Sequence, residues 1–399
     1  MSGYDIMNEK LIVDYVKSLE LNIFEKNSKL EAKEIGDGNL NYVFRVKDID
    51  TGKSIIVKQA LPYLKVAGED WRLTIDRNRI EAEAMKEQNI ACEGMVPKIY
   101  YSSKEKALYI AEDLGYMDTL RNRYMSMKKY YNFPRKIGKF LARNLYYTSD
   151  FGIGPIEKKI KCKEFINPEL CDITERLVLT DPYRESPSND INPEILDEVK
   201  KMWNRNDVCL EIAKLKDIFL TKCEALLHGD LHTGSIFIDE NNIKVFDAEF
   251  AFYGPYGYDI GLLIANLILN YCSYEGLNEP KDKVENFREY LLDTIEKIWN
   301  CFEEEFRDLW KESEEKITKV EGYYNYYINN LLNETIGFCS CEIIRRVVGM
   351  AHVPDLDRIK DNKERAKAQL LALKIAQLIL IERKNIQVIE ELVEIIRTI

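Results

Sequence analysis

The sequence predicts an α+β chain of two unequal lobes, a small, mainly β part over residues 1–115 and a large, mainly helical part over residues 116–399. Three observations carry that prediction. Between residues 30 and 112 the apolar runs are short, rich in β-branched and aromatic residues, and broken by Gly and Pro turns. From residue 116 onward, apolar residues recur at helical spacing through long segments. In the middle of the helical part lies one short interruption, residues 227–249, where two apolar runs flank polar turns and each turn carries a carboxylate.

The first lobe opens with an amphipathic pattern over residues 5–27, in which Ile6, Leu11, Val13, Val16, Leu19 and Ile23 fall at helical spacing. Strands follow at Leu30 to Ile35, Tyr42 to Val46 and Ser54 to Lys58, the last two joined by a turn at Asp50-Thr51-Gly52. The Gly36-Asp37-Gly38-Asn39-Leu40-Asn41 turn between the first two strands is of the kind that lays backbone N–H groups over phosphates, though an ordinary hairpin turn has the same look. Leu61 to Leu73, with Pro62, Gly68 and Trp71, reads as an irregular loop, and Thr74 as the cap of a helix to Gln88. Glu81 and Glu83 on that helix are both placed to pair with Lys58. Short strands at Pro97 to Tyr101 and Leu108 to Ala111 end at Glu112-Asp113-Leu114-Gly115, where the lobe boundary is expected.

In the second lobe, helices are expected at Pro134 to Ser149, Asn167 to Val178, Glu194 to Trp203 and Val208 to Leu227, with a surface loop over Thr180 to Pro193. The basic run from Lys158 to Lys163 reads as a solvated helix face. Asp259 is expected to cap a helix from Ile260 to Cys272 and to brace the loop before it. Long helices follow at about 280–310, 321–350 and 361–382, and a last one runs to the C-terminus. Tyr323, Tyr324, Tyr326 and Tyr327 have the spacing of a packed face.

The interruption carries the chemistry. An apolar approach leads into His228-Gly229-Asp230, a strand runs from Ser235 to Ile238, and a return strand from Ile243 to Phe246 ends at Asp247, with Glu249 two residues on. A lone His-Gly-Asp is usually a turn. A second acidic strand end 17 residues later brings two carboxylates to one cleft. One acid beside a nucleophilic hydroxyl and another holding Mg²⁺ is what phosphoryl transfer from ATP requires. Asp230 would orient the acceptor hydroxyl and take its proton, and Asp247 with Glu249 would offer hard oxygen ligands to Mg²⁺. Arg345 and Arg346 sit in a segment apolar on most sides, so each guanidinium needs an anion. They are expected either to pair with Glu334 or Glu342, or to reach the cleft and hold the acceptor and the transferring phosphoryl group.

These motifs resemble the aminoglycoside phosphotransferase and choline kinase branch of the protein-kinase-like fold. The turn at Gly36 to Asn41, His228 to Ser235, Asp247 to Pro255 and the Arg345-Arg346 pair resemble the methylthioribose kinase family more specifically. The resemblance implies ATP-dependent phosphorylation of methylthioribose at its anomeric hydroxyl, in methionine salvage, by a cytoplasmic homodimer. It implies that Gly38, Asn39, Asn41 and Lys58 hold the nucleotide phosphates and that the backbone at Glu112 and Leu114 reads adenine. It places Asp230, Arg345, Arg346, Trp71 and Asn39 at the acceptor, and Ser235 where related kinases carry a second metal-ligating Asn. Alternatives are a kinase for an aminoglycoside, choline or another sugar, or a non-catalytic nucleotide-binding regulator. The arginine pair argues against a cationic acceptor. The intact Asp230, Asp247 and Lys58 argue against a regulator without activity.

Composition narrows the partners. The net charge of −11 lacks the basic footprint of a nucleic-acid binder. No apolar run reaches the roughly 18 residues of a membrane span, and the first residues lack the pattern of a signal peptide. Nine scattered cysteines fit reduced thiols in a cytoplasm, and Cys339 and Cys341 are too closely spaced for a usual zinc pair.

Overall fold

The computed structural model describes residues 4–35, 41–64 and 68–399. Its architecture is α+β as expected, with an N-terminal antiparallel sheet followed by a large helical part. The first helix, α1 (Glu9–Ser18), is capped by the Asn8 side chain, which accepts from the Leu11 N–H. It buries Ile12 and Val16 and stops well before residue 27, because the chain turns through positive φ at Glu20 and Asn22. Strands β1 (Leu30–Glu34), β2 (Asn41–Asp48) and β3 (Ser54–Ala60) follow. The segment expected as an irregular loop instead closes as a hairpin of β4 (Tyr63–Leu64) and β5 (Gly68–Arg72), with Tyr63 opposite Arg72.

Helix α2 (Arg77–Ala91) starts three residues later than expected. Thr74 does not cap it, because its hydroxyl accepts from the Asp76 N–H, and the Asp76 carboxylate is taken by Arg79. Strands β6 (Ile99–Ser103) and β7 (Leu108–Glu112) complete a five-stranded sheet in the order β1-β2-β3-β7-β6. One face packs Phe44, Val46, Ile55, Val57, Leu108 and Ile110 with α1. The other packs Tyr109 and Ala111 against Ala82 and Met85 of α2.

The helical part contains β8 (Asp118–Thr119), α3 (Leu120–Met125), α4 (Phe133–Thr148), α5 (Pro155–Glu164), α6 (Pro168–Leu177), α7 (Leu196–Trp203) and α8 (Asn206–Thr221). Helix α3 went unforeseen, being only six residues long. The basic run is not wholly solvated, since Lys158 is buried and its ammonium donates to Asp150 and to the Cys223 carbonyl. Helix α8 ends at Thr221 rather than running into the central motif. The next apolar residues form β9 (Ala225–Leu226), whose Leu226 N–H and carbonyl are held by Thr148 and Asn144.

Three short strands complete the interruption: β10 (Ile236–Ile238), β11 (Ile243–Val245) and β12 (Tyr253–Gly254). β10 pairs with both β11 and β8, and β12 pairs with β9. The turn between β10 and β11 is held by the Asp239 carboxylate, which accepts from the Asn241 and Asn242 N–H groups. Helix α9 (Gly257–Ser273) follows, buried along almost its whole length. Asp259 lies inside its first turn and is not its cap, because the helix begins three residues earlier than the apolar pattern suggested. Helices α10 (Lys281–Glu312), α11 (Tyr323–Val348), α12 (Pro354–Asp357), α13 (Asn362–Glu382) and α14 (Ile389–Arg397) complete the chain. Tyr324 and Tyr327 of α11 pack on Phe306 and Trp310 of α10, whereas Tyr326 points outward.

Candidate active site

A cleft of about 1080 Å³ lies between the sheet and the helical part, lined by residues of both. Its floor is the loop from His228 to Ser235. The loop turns at Gly229 with φ of 83°, and a Cβ there would lie 2.2 Å from the Phe250 carbonyl oxygen, so no other residue fits. Asp259 braces the turn, as expected, its two oxygens accepting from the His228 N–H (2.6 Å) and the Gly229 N–H (2.9 Å). The buried His228 ring joins the loop to the end of β11, with Nε2 donating to the Phe246 carbonyl at 2.8 Å.

His232 Nδ1 accepts from the Gly234 and Ser235 N–H groups at 3.1 and 3.0 Å. Its proton therefore sits on Nε2, which faces Asp230 Oδ2 at 3.5 Å. Burial holds the imidazole below its usual value. Burial alone would raise the Asp230 carboxyl, but His232 and the guanidinium groups of Arg346 and Arg345 hold it well below the ordinary range. Ser235 is buried, and its hydroxyl donates to the Asp230 carbonyl at 2.9 Å and accepts from the His232 N–H at 3.0 Å. It closes the loop from within, and the structure does not bring it to the cleft wall where a metal ligand is expected.

Asp247, just past β11, takes φ of +73°, a left-handed conformation uncommon outside glycine and typical of functional sites. Its side chain is 42% exposed to the cleft and touches the Lys58 ammonium, which reaches it from β3. Lys58 also donates to Glu81 at 2.8 Å, so Glu81 and not Glu83 is its partner, and Glu83 pairs instead with Lys86. Burial pushes the Glu81 carboxyl up to about 7 despite Lys58. Burial opposes the charge on Lys58, yet Asp247 and Glu81 raise its ammonium well above the usual value. Lys58 in turn holds Asp247 below its usual value against burial.

Glu249 is 3% exposed; it accepts from Asn41 Nδ2 at 3.0 Å and lies 3.4 Å from Arg77 Nε. Burial raises its carboxyl, Lys58 opposing. Asn41 thus joins the end of the Gly-rich turn to the acidic pair. Gly38 and Asn39 of that turn lie outside the described residues. Arg77, fully buried at the start of α2, is a member of this cluster that the sequence did not single out.

The arginine pair has a carboxylate partner and also lines the cleft. Glu342, fully buried on α11, accepts from Arg345 Nε at 2.5 Å and from Arg346 Nε at 2.7 Å. Each arginine then turns its Nη2 toward Asp230 Oδ1, at 3.3 Å for Arg345 and 3.6 Å for Arg346. Glu334 is not their partner, since it pairs with Lys222 at 2.8 Å. Another cleft arginine, Arg121 of α3, was missed, because α3 is too short to show periodicity. Its Nη2 donates to Asn266 at 2.7 Å, and its Nη1 lies 2.7 Å from where a Gly234 Cβ would stand.

At the other end of the cleft, Glu112 ends β7, Leu114 follows it, and both line the wall. The Glu112 carboxylate is bound by Lys244 at 2.8 Å, and Asp113 accepts from Arg45 at 2.7 Å, so the segment is fixed by side chains. Trp71 is partly buried at the rim, with the Arg176 guanidinium 6.0 Å from its ring. Among the described residues, no cluster of three His, Cys, Asp or Glu side chains forms a metal cage.

The model of the phosphotransferase enzyme family matches residues 31–273. The methylthioribose kinase of Geobacillus sp. (strain WCH70) is 43% identical over 376 residues, 94% of this chain and 92% of that protein. That of Geobacillus thermodenitrificans is 43% identical over 98% of this chain and 96% of its own. That of Exiguobacterium sibiricum is 39% identical over 98% and 99%. Among solved structures, a glucosamine kinase aligns with a TM-score of 0.49 at 10% identity, over 92% of this chain and 84% of its own. An ethanolamine kinase of Plasmodium vivax aligns with a TM-score of 0.46 at 16% identity, over 95% and 91%.

Proposed function

The chain belongs to the phosphotransferase enzyme family and, within it, to the methylthioribose kinases, and from that premise we propose that it transfers the γ-phosphoryl group of ATP to the anomeric hydroxyl of methylthioribose. The product is methylthioribose 1-phosphate, a step of methionine salvage. The observation that carries this reading is one cleft holding Asp230 against Arg345 and Arg346, with Asp247 against Lys58 across from them.

Asp230 orients the acceptor hydroxyl and takes its proton as the new O–P bond forms and the bond to the departing ADP breaks. Its low proton affinity suits late transfer in a loose transition state, where positioning matters more than basicity. Arg345 and Arg346, each pinned at Nε by Glu342, present their outer nitrogens to the acceptor and to the charge on the moving phosphoryl group. Lys58 binds the α- and β-phosphates, held in place by Glu81. The backbone at Glu112 and Leu114 meets adenine, and the sequence resemblance assigns Asn41, Gly38 and Asn39 to the phosphates and Trp71 and Asn39 to the acceptor. On this reading, residues 1–115 form the nucleotide lobe and 116–399 the catalytic and acceptor lobe.

The donor set fits Mg²⁺, which takes one or two carboxylates together with phosphate oxygens and water. Asp247, open to the cleft, and Glu249 behind it would hold the ion. Bound there, it would neutralise charge on the nucleotide phosphates. The Ser235 hydroxyl, engaged within its own loop, takes no part in that set. All nine cysteines are free thiols, which suits a reducing cytoplasm. Light scattering would test the homodimer implied by the sequence resemblance.

The deciding assay is ATP consumption with methylthioribose, choline and kanamycin offered separately. Turnover with methylthioribose alone supports the assignment. Preference for either cation overturns it.

A further inference from the structure

Away from the cleft, one pair of reactive groups takes no part in the proposed reaction. Cys162 on α5 and Cys223, just before β9, place their sulfurs 3.4 Å apart. They are 61 residues apart in sequence, so only the fold brings them together. Cys223 is the exposed one among the nine cysteines, and Cys162 beside it is partly buried. A disulfide needs the sulfurs at about 2.05 Å, so an approach of about 1.4 Å would join them.

Both sulfurs sit on segments that support the catalytic loop. Cys223 lies five residues before His228, and its carbonyl accepts from Lys158 of α5 at 2.9 Å. The next residue, Glu224, donates to the Gly254 carbonyl at 3.2 Å and so opens the pairing of β9 with β12. Cys162 packs against the apolar cluster that contains Leu226, Ala248 and Ala251, the last two flanking Glu249 in the chain. At its other side, α5 is tied to α2, the helix that carries Glu81. Lys161 pairs with Glu87 at 2.5 Å, and Arg79 donates to the Glu164 carbonyl at 2.8 Å.

We propose that Cys162 and Cys223 form a thiol–disulfide site that reacts with low-molecular-weight disulfides, and that closing it slows phosphoryl transfer. The exposed Cys223 thiolate attacks a disulfide RS–SR, forming a Cys223–S–S–R bond and releasing RS⁻. Cys162 then loses its proton and attacks the Cys223 sulfur. The internal disulfide forms and a second RS⁻ leaves. Two cysteine sulfurs are oxidised, the reagent is reduced to two thiols, and the two cysteine protons go to the released thiolates. Burial pushes the Cys162 thiol up to about 12, so the first attack falls to the exposed Cys223, and Cys162 reacts only through its closeness to the Cys223 sulfur. Drawing the sulfurs together shifts α5 against β9. Because a displacement of about 1 Å can cost roughly 10² in rate at a reacting site, a loss of about tenfold in kcat is expected.

The test treats the full chain with oxidised glutathione over a range of ratios to reduced glutathione. Expected are a Cys162–Cys223 cross-linked peptide in non-reducing mass spectrometry and a fall in free thiols from nine to seven. Cys162→Ser should stop at a mixed disulfide on Cys223. Cys223→Ser should form neither product. Both variants should turn over at the untreated rate, and the wild-type loss of kcat should reverse with dithiothreitol. A missing cross-link at every ratio overturns the proposal, as does a cross-link that leaves kcat unchanged. The peptide map is read on the protein itself, so it stands apart from whether methylthioribose is the acceptor.

Discussion

Asp230→Asn isolates the role assigned to the catalytic carboxylate. Asparagine keeps the size and one acceptor oxygen, so with that oxygen at the Oδ1 position Arg345 Nη2 at 3.3 Å and Arg346 Nη2 at 3.6 Å retain a partner, whereas His232 Nε2, 3.5 Å from Oδ2, loses its acceptor to the amide nitrogen. The loop itself is held by bonds the substitution does not touch, from Asp259 to two N–H groups and from His228 to the Phe246 carbonyl. What disappears is the proton acceptor and the negative charge between two guanidinium groups. Loss of a positioned general base typically costs about 10²–10⁴ in rate, or about 2.7–5.4 kcal/mol at 1.36 kcal/mol per decade. Mg²⁺-ATP affinity should stay within about threefold, since Lys58 and Asp247 are intact. Steady-state assays with methylthioribose and ATP measure the first quantity, and calorimetry with a non-hydrolysable nucleotide measures the second. Turnover within about threefold of wild type would refute the reasoning. A fall matched by an equal loss of nucleotide affinity would point to a collapsed loop.

Lys58→Met should weaken ATP far more than it weakens the sugar. Because it leaves Glu81 buried without its ammonium partner, the Glu81 carboxyl, already raised to about 7, should rise further, which titration of the variant would detect. Arg345→Lys and Arg346→Lys should fold normally yet lose kcat/KM for methylthioribose with little change in ATP affinity, because an ammonium cannot bind Glu342 at one nitrogen and face Asp230 with another. Wild-type kcat/KM in both variants would make the pair structural only. Glu211 offers a test of pH linkage. Burial opposes its ionisation, but Lys214, Arg383 and Lys384 hold its carboxyl down to about 2 from 4.5. A depressed folded value contributes stability above the unfolded one, so Glu211→Gln should lower the Tm at pH 7. That difference should shrink as the pH falls from about 4.5 toward about 2. A pH-independent difference would remove the ion pairs as its cause.

Local signals were enough for the main sheet, for most of the longer helices and for the position of the central motif. The change from short β-type runs to helical spacing predicted an antiparallel sheet followed by helices. A chain that must bury one face of each element repeats its apolar residues at the period of that element. His228-Gly229-Asp230 and Asp247 were legible for a different reason, since each needs a backbone turn that few residues permit, and Gly229 against the Phe250 carbonyl is one such turn. Boundaries were less legible. α8 stopped at Thr221 and α2 began at Arg77, because partners distant in sequence, such as Thr148 and Asn144 of α4 bonding to Leu226 of β9, decide where backbone groups find their bonds. Pairings across the fold belonged to the tertiary structure alone. Nothing local distinguishes Glu81 from Glu83 as the partner of Lys58, or Glu342 from Glu334 as the anchor of the arginines. The choice depends on which carboxylate the packing of α2 on the sheet, and of α11 on α9, turns toward the cation. Arg77, Arg121 and the meeting of Cys162 with Cys223 follow the same rule, because proximity between residues far apart in the chain is a property of the folded state and leaves no mark on either segment by itself.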